Sequence, residues 1–509
     1  MARPVEHILI LGGGTAGWLS ATMMSKVLEG QARITLVESE DIGTVGVGEA
    51  TIPPILNLFL FLGLNEDEVM RHVQGTFKLG IEFIDWRAKG HAYTHTFGGP
   101  GNPLGILPFY QYWLRQVQRS PEWAAKTGSL WDYSFNDLAA KANKFARLKK
   151  IPDTQMDGLN YALHFDAGLL ARYLRGHCER NGVVRREGKV RNVNLRASDG
   201  FIESLTLESG ETLTADFFID CSGFQGLLIE GALKSGYEDW RHWLPCDRAI
   251  AVPCASAGPL KPYTQARAHT AGWQWRIPLQ HRTGNGHVFS SPFMGADEAQ
   301  RILMANLDGE PLAEPRLLKF TTGRRRQSWI RNCVALGLAS GFMEPLESTS
   351  IHLVQSGLQR LMLCFPDMDF PQAEIDEFNR ATRHEYELIR DFLVLHYKAT
   401  ERNDSPFWDY CRTMDVPDSL AHKMDYFASR GRVLIEEEDL FKEMSWIQVL
   451  LGQGVMPKGC SPLSDTVPAD QLHEYFQGIR QILDHTVNSL PGHADYVARH
   501  CRAPDMDRA

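Results

Sequence analysis

His7–Glu38 reads HILILGGGTAGWLSATMMSKVLEGQARITLVE, and the order of residue types in it decides the fold. His7–Leu11 is a short apolar run of strand type, Gly12–Gly17 (GGGTAG) follows at once, and Trp18–Leu28 carries apolar residues at helical spacing. A second apolar run, Ile34–Val37, ends at Glu38, about 20 residues beyond the glycines. Strand, glycine turn, helix and a second strand closed by an acid make the βαβ unit that binds a dinucleotide. Gly12 permits the tight turn, Gly14 lets backbone approach a pyrophosphate, and Gly17 lets the helix pack against the strand. The free amides of the first helical turn, at Thr15 and Ala16, then face the phosphates. Glu38 stands where a carboxylate meets a ribose hydroxyl, an acid that a merely structural glycine turn would not require. The motif alone serves NAD and FAD alike.

The chain around this unit has 509 residues, 43% of them hydrophobic, enough for a large core and two or three structural units. Lys plus Arg number 53 against 62 Asp plus Glu, and the net charge of −9 offers no footprint for nucleic acid or an anionic membrane. The nine cysteines are scattered, without a C-x-x-C pair, which fits reduced thiols and indicates neither a disulfide framework nor a zinc site. No apolar run is long enough to span a membrane, and the N-terminal run leads into the glycine loop without a cleavage site, so a cytoplasmic enzyme is expected.

Further along, Thr44–Pro53 (TVGVGEATIP) places Gly46, Gly48 and Ala50 close together, as suits backbone passing near a flat ligand; an ordinary surface loop is the alternative. Phe59–His72 has a helical pattern. Thr76–Trp86 alternates like a strand, with Phe77, Leu79, Ile81 and Phe83 on one face and Lys78 and Glu82 on the other, where a lysine is ordinarily solvated. His91–Pro108, rich in Gly, Pro and aromatics, reads as an irregular loop. Helices are expected near Tyr110–Arg119 and Leu169–Asn181, strands over Val183–Leu195 and Phe201–Leu207, and a further strand ending at Asp220. That last strand, followed by Cys221-Ser222-Gly223, can meet a dinucleotide a second time, as in two-part FAD folds. In GWQWRIPL, alternation puts Trp273 and Trp275 on one face, where core packing is the ordinary explanation. Cys333–Leu338 is a short strand running into a small-residue turn and a helix from about Ser350. From Glu374 onward the pattern is helical, and the acidic run Glu436–Asp439 marks a helix start that the macrodipole favours.

Taken together, the opening glycine motif, FKLGIEF around Lys78, W-x-W-x-I-P at Trp273–Pro278 and EPLESTSIH at Glu344–His352 resemble the flavin-dependent halogenases, whose best-known members are tryptophan halogenases. The resemblance spans nearly the whole chain. It implies an α/β, two-part FAD-binding fold of the Rossmann-like, flavin monooxygenase type, with additional β-sheet and a mainly helical C-terminal substrate region. Residues 1–372 would form the FAD module, with inserted segments at about 75–180 and 240–330, and residues 373–509 the helical region that completes the substrate chamber. By the same resemblance Gly12, Gly14, Thr15, Ala16, Gly17 and Glu38 hold the adenosine and pyrophosphate of FAD, Ala50 lies in the strap over the flavin, and Val190, Leu338 and Ile351 complete the binding. Lys78 and Glu347 become the catalytic pair, Thr349 and Ser350 offer backbone amides to a halide, and Trp273 and Trp275 separate flavin from substrate. No metal is implied.

The implied chemistry uses FAD supplied reduced, as FADH2, with O2 and chloride or bromide. Hypohalous acid forms at the flavin and reaches Lys78, which hydrogen-bonds it or carries the halogen as a haloamine; Glu347 stabilises the cationic arene and assists loss of its proton. The later glycine cluster at Gly452–Gly454 lacks a preceding strand and a following acid, so no internal NAD(P)H site is expected and a separate NAD(P)H-dependent flavin reductase is implied. A homodimer is left open.

His95 and Phe97 in HTFGG resemble the family's H-x-F pair around the substrate ring, and Trp446 in EMSW its opposing ring. The Tyr-Tyr pair and Glu that hold free tryptophan are missing: RVLIEEEDLFKEMSW has Val433, Leu434 and Ile435 at the tyrosines and Phe441 near the Glu. Unpaired burial of an amino-acid zwitterion is costly, so the expected substrate is an indole or another electron-rich aromatic without one. Two other readings share the FAD fold: an aromatic hydroxylase, in which Lys78 and Glu347 have no common task, and a non-catalytic flavoprotein that binds an aromatic metabolite.

Overall fold

The computed structural model describes residues 3–42 and 48–504. Thr44 and Gly46, in the expected strap, lie outside them. The opening unit forms as its sequence dictates: strand His7–Leu11, helix Thr15–Leu28 and strand Arg33–Glu38. The helix begins three residues before Trp18, because Gly14 in extended conformation already serves as its N-cap. A six-stranded sheet runs in the order Trp329–Ile330, Cys333–Ala335, Phe217–Asp220, His7–Leu11, Arg33–Glu38 and Val184–Glu187, with every neighbouring pair parallel except the first. The strand ending at Asp220 thus returns beside the first strand after some two hundred residues. Asp220 itself is fully buried and accepts from the amides of Ser222, Leu228 and Ile229, so it ties down its own turn.

A mostly antiparallel seven-stranded sheet forms the second layer, in the order Arg316–Lys319, Arg248–Cys254, Thr283–Phe289, Gly272–Pro278, Thr264–His269, Gly80–Ile84 and Ala92–Thr96. The strands drawn from 80–96 and 248–319 meet through parallel pairing of Gly80–Ile84 with Thr264–His269. A small sheet of Gly48–Ala50, Ala162–Asp166 and Thr76–Lys78 lies against it. The helices Gln372–Lys398, Pro406–Thr413, Asp418–Arg430, Glu443–Gly452, Ala469–Ser489 and His493–His500 make up the C-terminal part. One apolar core runs from Val5 to Cys501 through both layers and these helices. Among the described residues no helix is long and apolar enough to cross a membrane.

Several elements differ from their sequence pattern for local reasons. Phe59–His72 is two helices, Pro54–Leu62 and Glu66–His72, because Gly63 adopts φ 72° between them and Asn65 caps the second. Thr76–Trp86 changes sheets at Leu79, whose amide donates to the Pro262 carbonyl, so Lys78 and Glu82 do not share a solvated face. Ala92–Thr96 is a strand, not a loop; its β-branched and aromatic residues pair with Gly80–Ile84 despite the Gly and Pro that follow. Val183–Leu195 is broken at Gly188 into strands of two different sheets. The run Glu436–Asp439 precedes helix Glu443–Gly452 in a turn; Asp439 is buried and paired with Lys423 at 2.9 Å, so the helix dipole does not explain it.

Candidate active site

The glycines of the opening turn are required by close approach. Gly12 has φ 116°, and a Cβ there would strike the Cys221 carbonyl; a Cβ at Gly17 would strike the Gly12 carbonyl. A Cβ on Gly13 would fall on the Glu38 carboxylate, which shows that the acid lies directly over the turn. Glu38 Oε1 accepts from Arg185 Nε at 2.6 Å. Helix Thr15–Leu28 has no side-chain cap at its N-terminus, so its first amides are available to an anion. Gly337, just before Leu338, packs on Ala16, and Ile351 is buried in the first turn of helix Ser350–Leu363, which packs on the same helix Thr15–Leu28. Val190 opens the strand just after Gly188, whose amide donates to the Glu38 carbonyl. Ala50 is buried in the short strand Gly48–Ala50. A closely approached glycine turn, uncapped helical amides and an overlying acid fit an adenine dinucleotide. Gly13→Ala is expected to displace Glu38 and weaken FAD binding by about tenfold or more, on the order of 1.4 kcal/mol. Titration of flavin fluorescence measures it, and an unchanged Kd would refute this account of the turn.

Lys78 lies across the core from this turn. It is fully buried, and Nζ donates to the Thr51 carbonyl at 2.9 Å and to Ser348 Oγ at 2.8 Å, with the Phe97 ring 5.2 Å away. Burial lowers its pKa to about 7, against the opposing charge of Glu347. Glu347, next in the chain to Ser348, is 1% exposed. Its two oxygens accept from His95 Nδ1 at 3.0 and 2.9 Å, and His396 Nε2 lies 2.9 Å from Oε1. Burial pushes the Glu347 carboxyl up, but His95 and His396 outweigh it and hold it at about 2. The turn that presents Glu347 is Pro345–Glu347, after which Ser348 adopts φ 61° and aims its hydroxyl at Lys78. Thr349 then caps helix Ser350–Leu363 without a side-chain bond, so the Thr349 and Ser350 amides stand at an open helix N-terminus, a setting that suits a halide.

Trp273 and Trp275 do share a face, with centroids 6.2 Å apart in an edge arrangement. Trp275 covers Gly286 on the adjacent strand, where any Cβ would meet its ring. Trp273 Nε1 donates to Glu344 Oε2 at 2.8 Å, and Tyr397 OH donates to the same oxygen at 2.5 Å. Burial raises the Glu344 carboxyl to about 7 although both bonds oppose it.

His95 is 3% exposed and lies beside Phe392 and Phe441, at 5.6 and 6.2 Å. Phe441 stacks on Phe392 at 4.0 Å. Trp446 is not brought against His95 or Phe97 by any ring contact; it is buried behind Phe392, 5.1 Å away, and its Nε1 donates to the Phe441 carbonyl. The structure therefore gathers Lys78, Phe97, His95 and Glu347 and sets Trp446 one ring further out. His396, Thr51 and Phe392 belong to the same cluster and carry no sequence signal of their own, and Ser348 joins it from within the EPLESTSIH segment. His396 and Phe392 are spaced four residues apart on one helical face, a pattern identical to core packing.

Residues 7–469 match the family described as tryptophan halogenase. The chain is 34% identical to tryptophan 7-halogenase RebH of Lentzea aerocolonigenes, over 98% of this chain and 99% of that protein. Among solved structures, Xcc4156, a flavin-dependent halogenase from Xanthomonas campestris, superposes with a TM-score of 0.94 at 45% identity, covering 99% of each chain. BrvH, a flavin-dependent halogenase from Brevundimonas sp. BAL3, gives 0.93 at 42% identity, covering 98% of this chain and 99% of that one.

Proposed function

The chain belongs to the flavin-dependent tryptophan halogenase family, and from that premise we propose that it attaches chloride or bromide to an electron-rich aromatic, an indole derivative other than free tryptophan. Reduced FAD, delivered by a separate NAD(P)H-dependent reductase, supplies with O2 the oxidising power that converts halide to hypohalous acid. Gly12, Gly14, Thr15, Ala16, Gly17 and Glu38 hold its adenosine and pyrophosphate, Ala50 lies over the flavin, and Val190, Leu338 and Ile351 complete the binding. The amides of Thr349 and Ser350 bind the halide, and Trp273 and Trp275 wall the substrate off from the flavin.

At a pKa near 7, Lys78 is available both as ammonium and as amine. The ammonium hydrogen-bonds hypohalous acid; the amine takes up the halogen and releases water. In either case the arene carbon attacks the halogen, and the oxygen or nitrogen that held it keeps the bonding pair and takes up a proton, from the Lys78 ammonium onto the oxygen or, for the haloamine, the one that the ring releases by way of Glu347, leaving water or the lysine amine. The ring carbon's proton then passes to Glu347, and the C–H pair restores aromaticity. His95 fixes the Glu347 carboxylate through both oxygens.

Phe441 carries the substrate reading. It stacks on Phe392 beside His95, and Val433 is buried nearby in sequence, so this wall offers a zwitterion no polar partner. An assay with FAD, a flavin reductase, NADH, O2 and bromide is expected to brominate simple indoles with kcat/KM at least about tenfold above that for L-tryptophan, a difference of about 1.4 kcal/mol. Mass spectrometry reads halogen, oxygen or no change. Preferred turnover of free L-tryptophan would overturn the substrate reading, and an oxygenated product would point to a hydroxylase.

A further inference from the structure

His396 stands in the last turns of helix Gln372–Lys398, fully buried, with its ring caged by Phe83, Trp86 and Phe392 at 4.9, 6.2 and 5.1 Å. Its Nδ1 lies 2.8 Å from the Phe392 carbonyl oxygen. A carbonyl only accepts, so Nδ1 must carry a hydrogen. Nε2 points to the other side, 2.9 Å from Glu347 Oε1, and has no other partner among the described residues.

A neutral imidazole protonated on Nδ1 presents a lone pair at Nε2. Against a carboxylate oxygen at that distance, the lone pair would repel. One proton therefore has to lie between Glu347 and His396. His95 does not supply it to this oxygen–nitrogen pair, because its own Nδ1 is already spent on Glu347 from the opposite side. The proton sits either on Nε2, giving imidazolium and carboxylate, or on Glu347, giving neutral imidazole and carboxylic acid.

We propose that His396 carries this proton and acts as the cationic positioning residue of the site, holding Glu347 ionised and oriented as the base that receives the arene's proton. The assignment rests on the reading of Glu347 given above. The surroundings favour it. Glu347 faces Lys78 from strand Thr76–Lys78 and accepts from His95 on strand Ala92–Thr96, and a carboxylate with donors and positive charge on several sides resists protonation. Tyr93, on the same strand as His95, is the other titratable group that feels Glu347, and burial together with that charge raises its phenol well above the usual range, so it stays neutral. The rings against His396, those of Phe83, Trp86 and Phe392, are uncharged, and Gln453 Nε2 donates to its carbonyl at 2.8 Å.

Two measurements on the FAD-loaded full chain test this. The infrared difference between wild type and Glu347→Gln at pH 7 is expected to show carboxylate bands and no protonated-carboxyl carbonyl band; a protonated-carboxyl band would overturn the assignment. This readout needs no turnover, so it stands apart from the base reading, which fails separately if Glu347→Gln halogenates normally. In His396→Gln the acidic limb of the kcat profile is expected to move up by about one pH unit or more, with the aromatic's KM within about twofold and the lost rate partly restored at higher pH. A uniform fall in kcat with an unmoved limb would reduce His396 to packing and overturn the proposal. If His396→Gln does not fold, the infrared result on the wild type decides alone.

Discussion

Lys78→Ala is expected to lower the halogenation rate by roughly a hundredfold to a thousandfold or more while leaving FAD bound, the usual range for removing a preorganised donor from a water-excluded site. The side chain reaches the cluster from strand Thr76–Lys78, fully buried, and its nitrogen is fixed by the Thr51 carbonyl and Ser348 Oγ. None of the glycine-turn residues touches it, so flavin affinity gives an internal control. Truncation leaves hypohalous acid with no fixed donor beside the arene, and the halogen is expected to escape to a soluble trap while flavin oxidation continues. Lys78→Arg is not expected to rescue: the guanidinium cannot give up its proton, and its planar fork does not fit the place of one ammonium between Thr51, Ser348 and Phe97. Product formation at the wild-type rate in Lys78→Ala would remove Lys78 from the mechanism.

The same burial should be visible in stability. Burial lowers the Lys78 pKa from 10.5 to about 7, so between those values the unfolded chain holds a proton that the folded chain has lost. Stability then rises with pH across that window. Below about pH 7 the full cost of the buried charge is present; above 10.5 it is gone. Integrated over the window, Lys78 accounts for roughly 5 kcal/mol, an order-of-magnitude figure at about 1.4 kcal/mol per pH unit. Lys78→Met removes the titration, and comparing the two proteins cancels other groups. Urea unfolding at pH 7 and near pH 10 is therefore expected to show wild type gaining on Lys78→Met as pH rises. A difference that stays flat would mean that the ammonium keeps its charge in the folded protein. Such a cost, kept at a position where methionine would avoid it, is what a residue retained for chemistry looks like.

How far these conclusions could be read from the chain differs by position. GGGTAG followed by an apolar run and Glu38 determined the opening βαβ unit, because glycine turns, helix starts and strand periodicity are set by residues within a few positions of each other. The W-x-W and EPLESTS segments likewise placed the tryptophan pair on one face and a helix start near Ser350, and both are found there. Lys78 is a different case. Alternation against Phe77 and Leu79 correctly gives it the other face of a strand, but nothing in the pattern says that this face is covered too. It is covered because the chain switches sheets at Leu79 and the Pro345–Glu347 turn closes over it. His95 falls in a stretch whose Gly and Pro disguise a strand, and His396 occupies a helical position that any core residue could fill. Trp446 packs on Phe392, whose ring also meets His95, a contact that only the tertiary structure reveals. The sequence by itself thus determined the dinucleotide unit and the family. The tertiary structure alone decided that Lys78 is buried and that Glu347 is gripped by His95 and His396. The reason is physical: periodicity reports which side of an element is apolar, whereas the charge state of a buried group depends on what long-range packing brings within hydrogen-bonding distance of it.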